Sequence, residues 1–138
     1  LRKALFEVDP LSELPQSAYT PEVSVDVYRR LRELTERTLR AGHSVIADAV
    51  FLNSAERGLI ERTAERCGTP FVGLWLEAEP ETLISRVSAR SLDASDADAD
   101  VVLRQLEQGP ETVAWTRINA AGTKKETLDL AKAALANS

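Results

Sequence analysis

The sequence holds one cysteine, Cys67, and one histidine, His43, among its 138 residues. That excludes an internal disulfide, a multi-cysteine zinc site and a histidine-rich metal cluster. A Ser-His-Asp triad would have to use His43, which directly follows Gly42 at a turn and reads as a surface residue. Methionine is absent and the chain opens on Leu1, so a piece of a longer polypeptide is expected. Long hydrophobic runs are missing too. The most apolar stretch, residues 71–76 (FVGLWL), is far too short to span a bilayer, and no basic segment followed by a small-residue cleavage site opens the chain. A soluble protein in a reducing cytoplasm is expected, with no membrane partner. Positive charge is in deficit, with 17 Lys plus Arg against 22 Asp plus Glu and a net charge of -5. That argues against a protein held to nucleic acid by phosphate neutralisation. What remains, 43% hydrophobic and 28% charged residues, is the composition of one globular domain with one core.

A helix is expected over residues 22–41, with Thr20 as its cap, Pro21 at the first helical position and Gly42 at the left-handed end. Val23, Val27, Leu31, Leu34 and Thr38 recur at spacings of three and four, and Glu33 with Arg37 and Glu36 with Arg40 should pair along the wet face. Residues 45–50 (VIADAV) have strand character. Ser54 is placed to cap a second helix with Ile60, Ala64 and Cys67 inward, ended by Gly68 and Pro70. Residues 71–76 show no alternation, as in a strand covered on both faces of a parallel sheet, and Trp75 reads as core. Helices over 80–90, 98–108 and 124–136 follow, the last with Leu128, Ala131 and Leu135 on one stripe, and a third strand is expected over 113–118. Strands and helices alternate at βαβ spacing, which gives an α/β class with a parallel sheet. Three strands are few for this length, and the first forty-odd residues supply only helix and loop.

Asp48 is the most informative single residue, because a carboxylate near the carboxyl end of a buried strand is costly unless paired, and ligands bind at that end of an open α/β sheet. The plainer alternative is a carboxylate bonded to nearby backbone or to Asn53. Arg86 and Arg90 stand four apart at a helix end, two guanidinium forks suited to a polyphosphate or simply to the helix dipole. Arg104, on the helix after the acidic loop, either converges on the same ligand or lies on the surface. Asp96, Asp98, Asp100 and Glu107 imitate the spacing of a calcium loop, but Val101 occupies the position that needs glycine, and acidic residues at a helix N-terminus account for the pattern. Cys67 reads as core rather than as a nucleophile. No G-x-x-x-x-G-K-[ST] motif occurs; Gly122, Thr123 and Lys124 match only its tail.

The run from His43 to Glu107, with Asp48, Arg57, Arg86, Arg90 and the acidic segment 91–100 in this order, resembles the second half of the P-loop kinases of the group containing zeta-toxin-like, polynucleotide, gluconate and shikimate kinases. It looks closest to the bacterial kinase-like ATP-binding domains often fused behind an aminoglycoside-phosphotransferase-like domain. The resemblance implies a P-loop NTPase-like three-layer fold, a parallel sheet with helices on both faces, whose first strands and phosphate-binding loop lie upstream of residue 1. Residues 1–138 would then be one incomplete domain, with residues 1–43 as an acceptor-side helical region and residues 91–100 as a lid. Asp48 would be the Walker-B-like acid near Mg²⁺ and acceptor. Arg57 would open the helix after it on the substrate side, Arg86 and Arg90 would bear on the transferring phosphoryl, and Arg104 would be the lid's returning arm. Ala120 and Gly122 would lie in the loop bordering the adenine of ATP. The opening LRKALF resembles the end of a segment whose aspartate acts on the acceptor hydroxyl, which places Arg2 and Lys3 at the substrate. The implied activity is ATP-dependent phosphotransfer to a hydroxyl of a small molecule, with Mg²⁺ and the upstream segment as partners. The alternative is a non-catalytic nucleotide- or partner-binding module of the same fold.

Overall fold

Chain order begins with a short helix, α1 (Arg2–Leu5), and a 3₁₀ turn at Gln16–Tyr19, followed by two long helices, α2 (Pro21–Arg40) and α3 (Ser54–Arg66). Strand β1 (Leu74–Glu77), helix α4 (Pro80–Ser88), strand β2 (Thr116–Asn119) and helix α5 (Lys124–Ala136) complete the order. This is a computed structural model, and it describes residues 1–9, 12, 14–89, 103, 109 and 112–137. The described residues fall into two compact units, one spanning Leu1–Pro70 and the other beginning at Phe71.

In the first unit, α2 starts where its sequence says it should. The Thr20 hydroxyl accepts the Val23 amide at 3.4 Å and Pro21 occupies the first turn. Gly42 at φ 83 turns the chain away at the other end, where the His43 amide donates to the Thr38 carbonyl at 3.2 Å. Val23, Val27, Leu31, Leu34 and Thr38 are half-buried, and α2 packs against α3. On the wet face Glu36 takes Arg40 as expected, at 2.8 Å, whereas Glu33 pairs back with Arg29 at 2.8 Å rather than forward with Arg37. Both partners stand one turn from Glu33, and Arg30 also reaches it, so the carboxylate is satisfied from its N-terminal side. A part-buried ion pair, Arg32 to Glu56 at 2.5 Å, ties α2 to α3. The cap of α3 is Asn53, whose side-chain oxygen accepts the Ala55 amide at 2.8 Å, and Ser54 is the first helical residue instead. Ile60 and Ala64 are buried as expected, while Cys67 is half-buried at the helix end.

Residues 45–50 form no strand. A strand exists only through its ladder, and this run pairs with no strand among the described residues, with Ile46 96% exposed. Its apolar character therefore does not mark a core strand here.

The second unit carries a parallel pair, β1 beside β2, in the register Leu74 to Thr116, Trp75 to Arg117, Leu76 to Ile118 and Glu77 to Asn119. Both strands begin three residues later than the sequence pattern implies. At Gly73 a Cβ would stand 2.3 Å from Cγ of Trp115, so the indole lies directly on the glycine. The Thr116 amide still reaches the Gly73 carbonyl at 2.9 Å. Trp75 is half-buried, Ile118 is buried, and α5 packs against β2. α5 spans the expected residues under a full capping box, in which Thr123 and Glu126 satisfy each other's backbone amides. Its Leu128 and Leu135 are nonetheless exposed, and only Ala131 of that stripe is half-buried. No helix among the described residues is long and apolar enough to cross a membrane.

Candidate functional site

The first unit gathers the residues assigned to the acceptor side. α1 places Arg2 so that its guanidinium donates to the Ala18 carbonyl and to Ser24 Oγ at 3.1 Å, while standing 5.1 Å from the Tyr19 ring centroid. Arg2 thus joins the 3₁₀ turn to the start of α2, and Lys3 beside it is half-buried. Asp48 is exposed, in the segment between α2 and α3 that forms neither helix nor strand. Because residues 45–50 form no buried strand, the carboxylate carries no desolvation cost there, and Asn53 is engaged at the α3 cap instead.

Arg57 is 4% exposed, and its guanidinium donates to the carbonyls of Phe51 and Leu52 at 2.6 and 2.8 Å. Those carbonyls belong to the turn that carries the chain from Asp48 into α3. Phe51 there has φ 50, a left-handed conformation that costs a bulky residue about 1–2 kcal/mol. The Phe51 ring lies 5.4 Å from that of Tyr28 on α2, and the Phe51 amide donates to the Tyr28 hydroxyl at 2.9 Å. Burial pushes the Tyr28 phenol above its ordinary range; the bond to Phe51 works against this, Glu56 adds to it and Arg2 opposes it. The sequence singles out Arg57, by resemblance, but neither Tyr28 nor Phe51. A tyrosine on a helix face reads as core, and nothing in the sequence marks a phenylalanine with positive φ.

The second unit brings together three of the assigned residues. β1 and β2 end side by side at Glu77 and Asn119, the carboxyl edge at which ligands of parallel sheets bind. The Ala120 amide donates to the Glu77 carbonyl at 2.7 Å, and Asn119 Oδ1 accepts the Ala121 amide at 2.8 Å. From the last turn of α4, Arg86 donates to the carbonyls of Ala120 at 2.5 Å, Ala121 at 2.9 Å and Gly122 at 2.5 Å. One guanidinium therefore fixes three successive carbonyls of the loop containing Ala120 and Gly122. Gly122 fits there because a Cβ would stand 2.6 Å from the Glu126 carboxylate that closes the cap of α5. Two open pockets flank the loop. One of 560 Å³ is lined by Asn119, Gly122, Glu126, Asp129 and Leu130, and one of 330 Å³ by residues 77–79 with Asn119 and Ala121. Arg117 closes an ion pair with Glu77 at 2.6 Å beside the second.

Arg90, Arg104, the segment 91–100, the helix expected over 98–108 and the calcium-like spacing at 96–107 lie outside the described residues, apart from Leu103, which is helical. Among the described residues no group of three His, Cys, Asp or Glu side chains is placed to hold a metal.

Compared with models of known families, residues 1–113 match one described as an AAA domain. No match was found among the curated proteins or among the solved structures. Asp48, Arg57 and Arg86 all fall inside the matched span, which covers most of the chain. The chain belongs to this AAA-domain family, P-loop NTPase-like and kinase-like proteins that generally bind nucleotide with Mg²⁺.

Proposed function

We propose that this chain serves ATP-dependent transfer of a phosphoryl group to a hydroxyl of a small molecule, within a three-layer P-loop kinase-like fold. The observation that carries the reading is the family match over residues 1–113, which takes in Asp48, Arg57 and Arg86. On this reading the helices of residues 1–43, Asp48 and Arg57 form the acceptor side, with Arg2 and Lys3 at its edge, and residues 91–100 with Arg90 and Arg104 form the lid. Arg86 acts on the base side by holding the loop with Ala120 and Gly122. Its engagement by three carbonyls supports a loop-fixing role for this arginine over direct contact with phosphate.

The residues present do not by themselves fit the triphosphate and its Mg²⁺. The sequence has no G-x-x-x-x-G-K-[ST] loop, and the described residues offer no cluster of carboxylates for a cation. No catalytic step is therefore assigned to that group. The engagement of Arg57 and Arg86 by backbone carbonyls favours a second reading, a module of the same fold that binds a nucleotide or a partner without turnover. Calorimetry with ATP and Mg²⁺, run beside a transfer assay over sugar acids, nucleosides and amino-alcohol antibiotics, separates the two. Binding with transfer supports the enzyme, and binding without transfer supports the module. The absence of both rejects nucleotide chemistry for this chain.

A further inference from the structure

The segment from His43 to Leu52, which carries Asp48, belongs to no helix or strand, so its course is set by how its two ends are held. One end is the close of α2, where Gly42 adopts φ 83 and the His43 amide returns to the Thr38 carbonyl. The other end is the turn at Phe51. That turn is held left-handed against the preference of a bulky residue, and such conformations persist only where the surroundings over-determine them. Three groups do so here. The Tyr28 hydroxyl accepts the Phe51 amide at 2.9 Å, the Tyr28 ring packs on the Phe51 ring, and Arg57 draws in the two carbonyls that follow. Tyr28 is itself braced, because Arg32, one turn further along α2, is paired to Glu56 in the first turn of α3. A buried amide needs an acceptor, and the phenol supplies it at the point where the chain reverses.

We propose that Tyr28 is a positioning residue of the acceptor side: through the Phe51 amide it fixes the turn from which the Asp48 segment departs, and so sets where that carboxylate stands. The proposal rests on the kinase reading for its functional half and on geometry alone for its structural half. Tyr28→Phe keeps the ring and removes only the acceptor. In this variant, amide exchange at Phe51 should quicken about tenfold, the scale of one lost hydrogen bond, and the carboxyl carbon resonance of Asp48 should shift. Amide protection along residues 32–39 of α2 should stay as in the wild type. In the transfer assay kcat should fall about tenfold, the cost of a misplaced group, with the KM for ATP unchanged. Unchanged exchange at Phe51 and an unmoved Asp48 resonance would overturn the proposal. Loss of protection throughout α2 would also overturn it, by reducing Tyr28 to a folding role. A moved Asp48 with full turnover would reject the functional half. If the wild type itself transfers nothing, the kinase reading fails, while the resonance data still decide whether Tyr28 sets the segment.

Discussion

At the residue scale, two of the three buried polar side chains among the described residues, and Arg86 at the surface, are spent on backbone. Arg57 serves two carbonyls, Arg86 three, and Thr63 returns its hydroxyl to Leu59 within α3 at 2.9 Å. Thr35 is the exception: its hydroxyl is buried and has no hydrogen-bond partner among the described residues. Replacing it by the isosteric valine removes an unmet polar group without opening a cavity. Thr35→Val should therefore raise stability by about 1 kcal/mol in urea unfolding. A loss of that size would show that the hydroxyl is satisfied in solution. Gly73 lies at the opposite extreme of tolerance. The Cβ of Gly73→Ala would meet three atoms of the Trp115 indole within 2.5 Å, so overpacking should cost about 1–3 kcal/mol in the same measurement. A neutral result would mean that the indole is free to swing aside.

At the element scale, the helices were legible in the sequence where their ends carry local chemistry. Thr20, Pro21 and Gly42 place α2 to within a residue. Asn53 and Ser54 are adjacent and both competent to cap, so the sequence pattern alone does not say which is used. The strands were less legible because a strand depends on its neighbour. Residues 45–50 have a strand's composition without a ladder, and β1 and β2 start three residues later than their apolar runs. The candidate site was read unevenly for the same reason. Arg57, Arg86 and the loop after β2 follow from order along the chain, whereas Tyr28 meets Phe51 only through the packing of α2 beside α3.

The cap of α5 makes a prediction of its own. Thr123→Ala should cost about 1 kcal/mol of stability, read from thermal unfolding. The Thr123 amide, and then its hydroxyl, hold the Glu126 carboxyl below the ordinary glutamate range. Because the folded value is the lower one, this contribution is fully present above that range and is lost as pH falls through the lowered value. The difference between wild type and Thr123→Ala should accordingly shrink on acidification. A difference that grew toward low pH would contradict the cap.

For the whole molecule, two compact units carry different parts of the assigned chemistry. The unit spanning Leu1–Pro70 holds Arg2, Lys3, Asp48 and Arg57, and the unit beginning at Phe71 holds Arg86 and the loop after β2. The family match runs across both. Neither unit contains the glycine-rich phosphate loop, so nucleotide-dependent transfer is the property most in need of a direct measurement. The decisive measurement is movement of label from [γ-³²P]ATP to a panel of small hydroxyl acceptors, made with the intact protein, phosphate-binding segment included, and with its Asp48→Asn variant. The account predicts labelled acceptor with the wild type and about a hundredfold less with the variant, the scale expected when a carboxylate that positions the reacting groups is lost. Equal labelling by the two proteins, or no labelled acceptor from either, would contradict it.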